Sequence, residues 1–515
     1  MNIYTSRQMQ EIDRITIEEE SVPSLLLMEN AAKAVVKEIL KNFNKNEINR
    51  CLIVAGKGNN GGDGICVARI LHYLKFSPIL FLSAKKEDLS RDSKFQIDNY
   101  DGEVHFLESE GNFLNDLSIY LKRSKIVVDA LLGTGTKGEV QGFYKKIIET
   151  INSQDTNVVS IDIPSGLSGD SFLPFGIAVR ADLTVTLGGL KLPLASSECE
   201  EFCGEVIKVD IGLSDKAFEK ISPHSQLIDF EFARRFFPER GKKIHKGNLG
   251  HLLIIAGGKG KLGASILTAK GALRSGAGLV TVATTKSLCP FVTASVPEVM
   301  TLPLPETDSG MISLNSYNIL FNFFENVDAV AIGPGISTEE ETSELSRRVY
   351  SETKIPMVVD ADGLNAFSQR SDLLFSKSGE RILTPHPGEF GRLLNLSAID
   401  VLSNRYQLVT EYAQKWGVTL LLKGYKSLIA DKKGFFRINS SGGSYMAGAG
   451  MGDVLTGIVG ALLARKVHPF DSASIGAYFH GLSAEFTFKK MGYGILASDV
   501  ADNLPFTESL LRNGI

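Results

Sequence analysis

The chain has 515 residues, 43% hydrophobic and 22% charged, with a formal net charge of −4. That length favours two or more domains, and either half is long enough to bury its own core. The formal charge argues against a broad nucleic-acid footprint, which needs clustered Lys and Arg; no basic stripe with interleaved aromatics appears, and no stretch approaches the roughly 18 apolar residues of a membrane span.

In chain order, Met1 to Glu20 carries Arg7, Glu11, Asp13, Arg14 and Glu18 among Ile and Met. That is an amphipathic helix pattern without the uncharged core of a signal peptide. Short β-branched runs then alternate with helical periodicity, the mark of a parallel sheet covered by helices. The first half is predicted to hold strands at Cys51–Ala55, Ile79–Leu82, Val104–Leu107, Ile126–Val128, Val158–Ile161 and Leu183–Leu187, with helices such as Gly62–Lys75 and Gly142–Asn152 between them. The pattern lapses from about Ser214 to Asn248, through Pro238-Glu239-Arg240-Gly241 and the basic run Lys242-Lys243-Ile244-His245-Lys246. A fresh strand-turn-helix pattern starts at His251–Ala256, which marks a domain boundary. Later strands are predicted at Leu279–Ala283, Ala329–Ile332, Pro356–Val359, Arg381–Leu383, Thr419–Leu422 and Ser427–Ala430, and two helices near Asp453–Arg465 and Ser472–Lys489 close the second domain. The halves show no internal repeat, so two different α/β folds are expected. The cysteines, Cys51, Cys66, Cys199, Cys203 and Cys289, match neither a redox pair nor a zinc framework and read as buried thiols of a cytoplasmic protein.

Three motifs stand at carboxyl ends of first-half strands, where an open parallel sheet binds its ligands. They are Asn59-Asn60-Gly61-Gly62-Asp63-Gly64, Asp129-Ala130-Leu131-Leu132-Gly133-Thr134-Gly135 and Asp162-Ile163-Pro164-Ser165-Gly166. Glycine permits close backbone approach to phosphates. Asp129 and Asp162 each follow an apolar strand directly, so both are expected to point into one cleft. Asn60, Asp129 and Ser165 offer only oxygen ligands, which suits a hard cation; with one carboxylate, a monovalent ion fits better than Ca²⁺. Each motif alone is also ordinary turn chemistry.

Together these motifs resemble the NAD(P)H-hydrate epimerase family. The resemblance implies a Rossmann-like domain, spanning 1–218, that binds a damaged nicotinamide nucleotide and a potassium ion. By motif position Asn59, Asn60, Gly61, Gly62 and Asp63, with Gly133, Thr134, Gly135, Thr136, Lys137, Gly138 and Glu139, would hold the substrate. Asp162 would lie beside it as the candidate acid/base, and Asn60, Asp129 and Ser165 would bind K⁺. Where the family continues with an Asp-x-x-Thr-Gly turn, this chain has Leu167-Ser168-Gly169-Asp170-Ser171-Phe172.

In the second half, Gly448-Ala449-Gly450-Met451-Gly452-Asp453 opens a helical run. Backbone N–H groups at such a start stabilise charge on a transferring phosphoryl group, and Asp453 is placed to take a proton from the hydroxyl being phosphorylated. The bland reading is a glycine-rich helix start with an acidic first turn. His386, between two prolines, also reads as a turn cap, and Lys423 as a lysine whose stem lies along apolar surface.

The Gly-x-Gly-Asp helix start resembles the ribokinase-like fold. His245-Lys246-Gly247, Gly263-Ala264-Ser265, Arg274-Ser275-Gly276-Ala277-Gly278, Gly333-Pro334-Gly335, Asp360-Ala361-Asp362, Thr384-Pro385-His386-Pro387-Gly388-Glu389 and Leu422-Lys423-Gly424 follow the order of the NAD(P)H-hydrate dehydratase family. This resemblance implies a ribokinase-like α/β domain over 228–512, in which Ala264, Gly335, His386 and Asp453 contact the hydrated nucleotide. Lys423, Gly424, Tyr425, Lys426, Ser427 and Gly452 would contact the adenine nucleotide, with Mg²⁺ as its companion ion. Ala449 stands where the family commonly has glycine. The resemblance further implies ADP rather than ATP as co-substrate, and a homo-oligomer. A vitamin-precursor kinase fused to a nucleotide-binding domain and a non-enzymatic NAD(P)H sensor remain the alternatives.

Overall fold

The computed structural model describes residues 1–107, 109–239, 243 and 245–514. Of the segment read above as a boundary, Arg240, Gly241, Lys242 and Ile244 lie outside the described residues. Contacts divide the chain into Asn2–Ser225 and, with Met1, Gln226–Ile515.

The N-terminal unit is built on a seven-stranded, all-parallel sheet. Its order is Glu103–Phe106, Ile79–Leu82, Cys51–Ala55, Ile126–Ala130, Asn157–Ile161, Leu183–Leu187, Glu205–Val209. The chain runs outward from Cys51–Ala55 to one edge and then returns to build the other side. The order therefore reverses between Cys51–Ala55 and Ile126–Ala130, and a cleft opens at such a switch point. Both faces are covered, as the continuous apolar runs require. Cys51, Ile53 and Ala55 pack into one buried cluster, while Leu52 and Val54 pack into another. A separate parallel pair, Asn2–Tyr4 with Leu190–Lys191, sets Tyr4 opposite Lys191.

The N-terminus departs from the single expected helix. A strand at Asn2–Tyr4 precedes the helix Ser6–Arg14, whose Thr5 cap and Gln8 form a reciprocal capping box, and a π-helical turn follows at Ile15–Glu19. The pattern also does not lapse fully after Ser214, because that stretch forms the helix Asp215–Lys220, the strand Ser225–Ile228 and the helix Phe230–Arg234. Each is four to six residues long, too short to leave a periodic signal.

In the C-terminal unit the sheet runs Met300–Leu304, Leu279–Thr285, His251–Ile255, Ala329–Ile332, Met357–Val359, Arg381–Leu383 and Thr419–Leu422, all parallel. Leu428–Ala430 and Phe436–Asn439 then continue it antiparallel. A second order reversal falls at His251–Ile255. The core cluster joins this sheet to the helices Leu262–Arg274, Met451–Ala464, Pro469–Met491 and Ala497–Asn513. The fold class is α/β throughout. All five cysteines are free and buried. Among the described residues no helix is long and apolar enough to cross a membrane.

Candidate active sites

At the N-terminal switch point lies a cavity of about 580 Å³. Of the residues singled out from sequence, Asn59, Asp63, Gly133, Thr134, Gly135, Thr136 and Asp162 line it. Asn60, Gly61 and Gly62 fall in the first turn of the helix Asn59–Tyr73 and pack behind the wall. Lys137, Gly138 and Glu139 follow the lining loop but are outside the lining itself.

Asp129 corrects the expectation that two aspartates point into the cleft. It sits inside the strand Ile126–Ala130 and is fully buried. Its carboxylate accepts from Ser160 Oγ at 2.8 Å, Ser165 N at 2.8 Å and Ser165 Oγ at 2.6 Å. Burial raises its pKa, and these donors offset part of the rise. All are neutral, so among the described residues the buried carboxylate has no positive partner, which is costly. Around it, Leu132 N donates to Ser165 Oγ at 2.7 Å and Asn60 Nδ2 donates to Leu132 O at 2.8 Å. Asn60 Oδ1 is buried without a hydrogen-bond partner among the described residues. An orphaned amide oxygen beside a hydroxyl, a carbonyl and an unpaired carboxylate is a donor set that fits a monovalent hard cation.

Asp162 directly follows the strand Asn157–Ile161 and takes a left-handed backbone, φ 67°. A non-glycine residue stays in that region only when its surroundings fix it there. Here Asp162 N donates to Val185 O at 2.8 Å, and Oδ1 accepts from Leu187 N at 3.0 Å, Thr186 Oγ1 at 3.3 Å and Lys191 Nζ. Lys191 is 2% exposed and also donates to Leu187 O at 2.7 Å. Three further acids line the same cavity, Asp13, Asp63 and Asp92. Burial pushes Asp13 up to about 6, with Lys191 opposing and Asp162 reinforcing the rise. Burial likewise drives Asp63 well above the usual carboxylate range, reinforced by Asp162 and Asp13.

The C-terminal site forms around the start of the helix Met451–Ala464. Gly450 caps it in the left-handed conformation, φ 85°, and Asp453 lies in the first turn. Burial and the neighbouring Asp360 carboxylate push Asp453 up to about 6, against the pull of Lys423. A Cβ on Gly452 would lie 3.4 Å from Lys423 Nζ, so the ammonium stands at the helix start. Lys423 Nζ contacts Asp360 Oδ1 at 2.6 Å and Glu389 Oε2 at 3.7 Å, and Thr456 Oγ1 donates to Asp360 Oδ2 at 2.7 Å. Burial alone would lower the lysine's pKa; the Asp360 and Glu389 carboxylates outweigh it and hold the group above its usual value.

Ala264 and Gly335 meet beside this network: a Cβ on Gly335 would lie 3.2 Å from that of Ala264, and the same loop reaches Asp360 through Gly333. His386 caps the helix Pro387–Leu394, its Nδ1 accepting from Gly388 N at 3.0 Å while Glu389 returns the bond to its backbone N–H. The turn-cap reading is thus correct locally. Its ring is half-exposed and also lines a cavity of about 930 Å³ with Lys423, Gly424, Tyr425, Ser427 and Gly452. Lys426 is outside that lining. The far wall is aromatic, with Tyr445 stacked on Phe488 at 4.4 Å and Tyr493 edge-on to Phe488 at 4.9 Å. A cationic mouth, glycine loops and a flat aromatic wall suit a purine nucleotide.

With the geometry in view, similarity decides the family. A family model described as NAD(P)H-hydrate dehydratase matches residues 252–506, and one described as YjeF-related protein N-terminus matches residues 24–192. The chain is 37% identical over 518 residues to the bifunctional NAD(P)H-hydrate repair enzyme Nnr of Moorella thermoacetica, covering 100% of this chain and 97% of that one. The chain belongs to this family. The Coxiella burnetii member is 33% identical over 98% of both chains. The Escherichia coli K12 member is 33% identical over 88% of this chain and 84% of that one. A solved structure of the ADP/ATP-dependent NAD(P)H-hydrate dehydratase from Bacillus subtilis, co-crystallised with ATP and Mg²⁺, is 26% identical with a TM-score of 0.49, covering 56% of this chain and 100% of that one.

Sequence reasoning passed over several residues that the sites contain. Lys191 interrupts the apolar run Leu190-Lys191-Leu192-Pro193-Leu194, and a lone lysine in a buried segment was the available signal. Asp13 was read only as one of the charged residues of an amphipathic N-terminal helix. Glu389 and Asp360 lay inside quoted motifs but had no role until the Lys423 contacts gave them one. Tyr445, Phe488 and Tyr493 are too far apart in sequence to suggest a stack.

Proposed function

We propose that the two units act in turn on one substrate, a hydrated nicotinamide coenzyme. Residues 1–218 would epimerise its R and S forms, and residues 228–512 would dehydrate the S form. Water added across the nicotinamide ring leaves a hydroxyl on the carbon next to the ring nitrogen. Hydroxide is a poor leaving group, since the pKa of water is about 15.7, whereas a phosphate monoester ionises near ~6. Phosphorylating that hydroxyl from ADP makes its oxygen detachable. The ring nitrogen's lone pair then expels phosphate, and loss of a proton from the neighbouring ring carbon forms the ring double bond, giving NADH or NADPH, phosphate and AMP.

The observation that carries this reading is Asp453 in the first turn of a helix, beside the buried Lys423–Asp360 pair. Asp453 takes the hydroxyl proton, and a carboxyl pushed up to about 6 is matched to that task near neutral pH. The Gly450–Gly452 N–H groups and Lys423 face charge developing on the transferring phosphoryl group. Ala264, Gly335 and His386 would position the hydrated ring. Lys423, Gly424, Tyr425, Lys426, Ser427 and Gly452 would hold the nucleotide, with its base against Tyr445.

In the N-terminal cavity, Asn59 to Asp63 and Gly133 to Glu139 would hold the same coenzyme beside Asp162. Asn60, Asp129 and Ser165 would hold K⁺, which when bound neutralises the buried carboxylate and fixes the Leu132 loop. Mg²⁺ would arrive with the nucleotide phosphates rather than in a protein cage; among the described residues no group of three or more His, Cys, Asp or Glu is arranged to hold a metal. The family resemblance further supports a homo-oligomer. The test is phosphate release from R- and S-hydrates with ADP and with ATP, for the native chain and for Asp453→Asn. Release of one phosphate per reduced coenzyme supports a dehydratase, and a stable phosphorylated product would instead mark a small-molecule kinase.

A further inference from the structure

We propose that Asp13, which lies outside every motif of the epimerase half, is the proton donor of epimerisation and works opposite Asp162, with Lys191 as the residue that positions Asp162. This deepens the epimerase reading above and rests on it. Four carboxyls, Asp13, Asp63, Asp92 and Asp162, and one ammonium, Lys191, line one cavity. Their surroundings differ in kind. Asp162 Oδ1 receives the Lys191 ammonium, the Thr186 hydroxyl and the Leu187 N–H. That donor pattern suits an ionised carboxylate, an acceptor at every lone pair. The Asp13 carboxyl is partly buried and acts on its neighbours through charge alone, without a hydrogen bond among the described residues. Burial lifts its pKa to about 6, which suits a group that delivers a proton. Two carboxyls set apart by their environments mark an acid and a base.

That pair supplies what inversion at a carbon bearing both a hydroxyl and a ring nitrogen needs. Asp162 accepts the hydroxyl proton. The O–H electron pair becomes the second bond of a carbonyl, and the carbon–nitrogen bond breaks with its pair passing to nitrogen. Nitrogen takes the proton of Asp13. The product is a ring-opened aldehyde, in which rotation about the adjacent carbon–carbon bond presents the other face. Nitrogen then attacks that face and returns its proton to Asp13, while the oxygen recovers its proton from Asp162. Atoms, charge and oxidation state balance, water is neither lost nor gained, and one acid–base pair serves both directions.

The experiment follows epimerisation of R-hydrate by the full-length chain, above the enzyme-free rate, for the native protein, Asp13→Asn, Asp13→Glu and Lys191→Met, with thermal unfolding to report folding. Asp13→Asn should lower the catalysed rate by about 100-fold or more, the scale of general-acid catalysis, and Asp13→Glu should restore part of it. The native rate should fall as pH rises through about 6, and Asp13→Asn should lose that limb. The titratable groups facing Asp13 are Asp63, Asp92, Asp162 and Lys191, so the limb must vanish with Asp13 to be assigned to it. Lys191→Met should lower kcat far more than it raises KM. In ¹⁸O water, epimerisation should proceed with fewer than one label incorporated per inversion. An Asp13→Asn rate within threefold of native, an unchanged pH limb, or one ¹⁸O per inversion would overturn the proposal. A native chain without epimerase activity would instead remove the reading on which it rests.

Discussion

The two sites begin from the same local device, a glycine-rich helix start with an acid in its opening turns, yet the acids meet opposite surroundings. Asp453 shares its place with the buried Lys423 ammonium, itself bound to Asp360 and Glu389. Asp63 faces a cavity whose ammonium, Lys191, is already bound to Asp162. At the first site an anion can be received and a proton removed. At the second, buried carboxyls compete for one cation, which favours moving protons between acids. The lesson is that the motif sets the position of the acid, and residues far away in sequence set its charge.

The comparison can be broken from the C-terminal side most forcefully. Asp453→Asn should lower phosphate release by roughly 10²–10⁴-fold while epimerisation by the same chain continues; equal loss of both would mean that the sites are not chemically separate. Lys423→Met leaves Asp360 and Glu389 buried without their cation, which should cost about 3–5 kcal/mol and show as a lowered Tm together with lost dehydratase turnover. If the melt is unchanged, the ion pair is not structural.

Smaller effects sharpen the contrast. A base must be ionised to act, so dehydratase kcat should rise about tenfold per pH unit up to about 6 and then level off, following Asp453. The epimerase, if Asp13 is its acid, should decline through the same range. Opposite limbs from one polypeptide would be seen by assaying both reactions on one sample across pH 5 to 8, a span set about the shared value of about 6. Gly450→Ala forces a side chain into φ 85° and within 2.5 Å of Leu267; a loss of about 1–3 kcal/mol is expected in thermal unfolding. Replacing K⁺ by a larger organic cation should weaken epimerase activity alone, and Asn60→Ala should reduce that sensitivity.

Much of this was legible from residues. Strands buried on both faces wrote continuous apolar runs, so Cys51–Ala55 and Thr419–Leu422 were read to the residue. The glycine loop after Cys51–Ala55 stands at the first switch point. What escaped was either short or tertiary. Asn2–Tyr4 and Leu190–Lys191 are two or three residues long and carry no period. Asp129 looked like a cleft residue because it ends an apolar run; the strand in fact continues through Ala130, which turns its carboxylate into the buried Ser160–Ser165 network. Lys191 meets Asp162 only because the sheet lays Leu183–Leu187 beside Asn157–Ile161. No spacing along the chain encodes that contact.

The account stands on two pockets serving one coenzyme. Pure R-hydrate, given to the native chain with ADP and the required cations, tests it most directly through reduced-nicotinamide absorbance and phosphate measured together. The prediction is complete conversion, with one phosphate released per coenzyme recovered, and accumulation of the S-hydrate alongside R when Asp453→Asn replaces the native chain. R-hydrate that persists untouched, or that ends as a stable phosphorylated species, would contradict it.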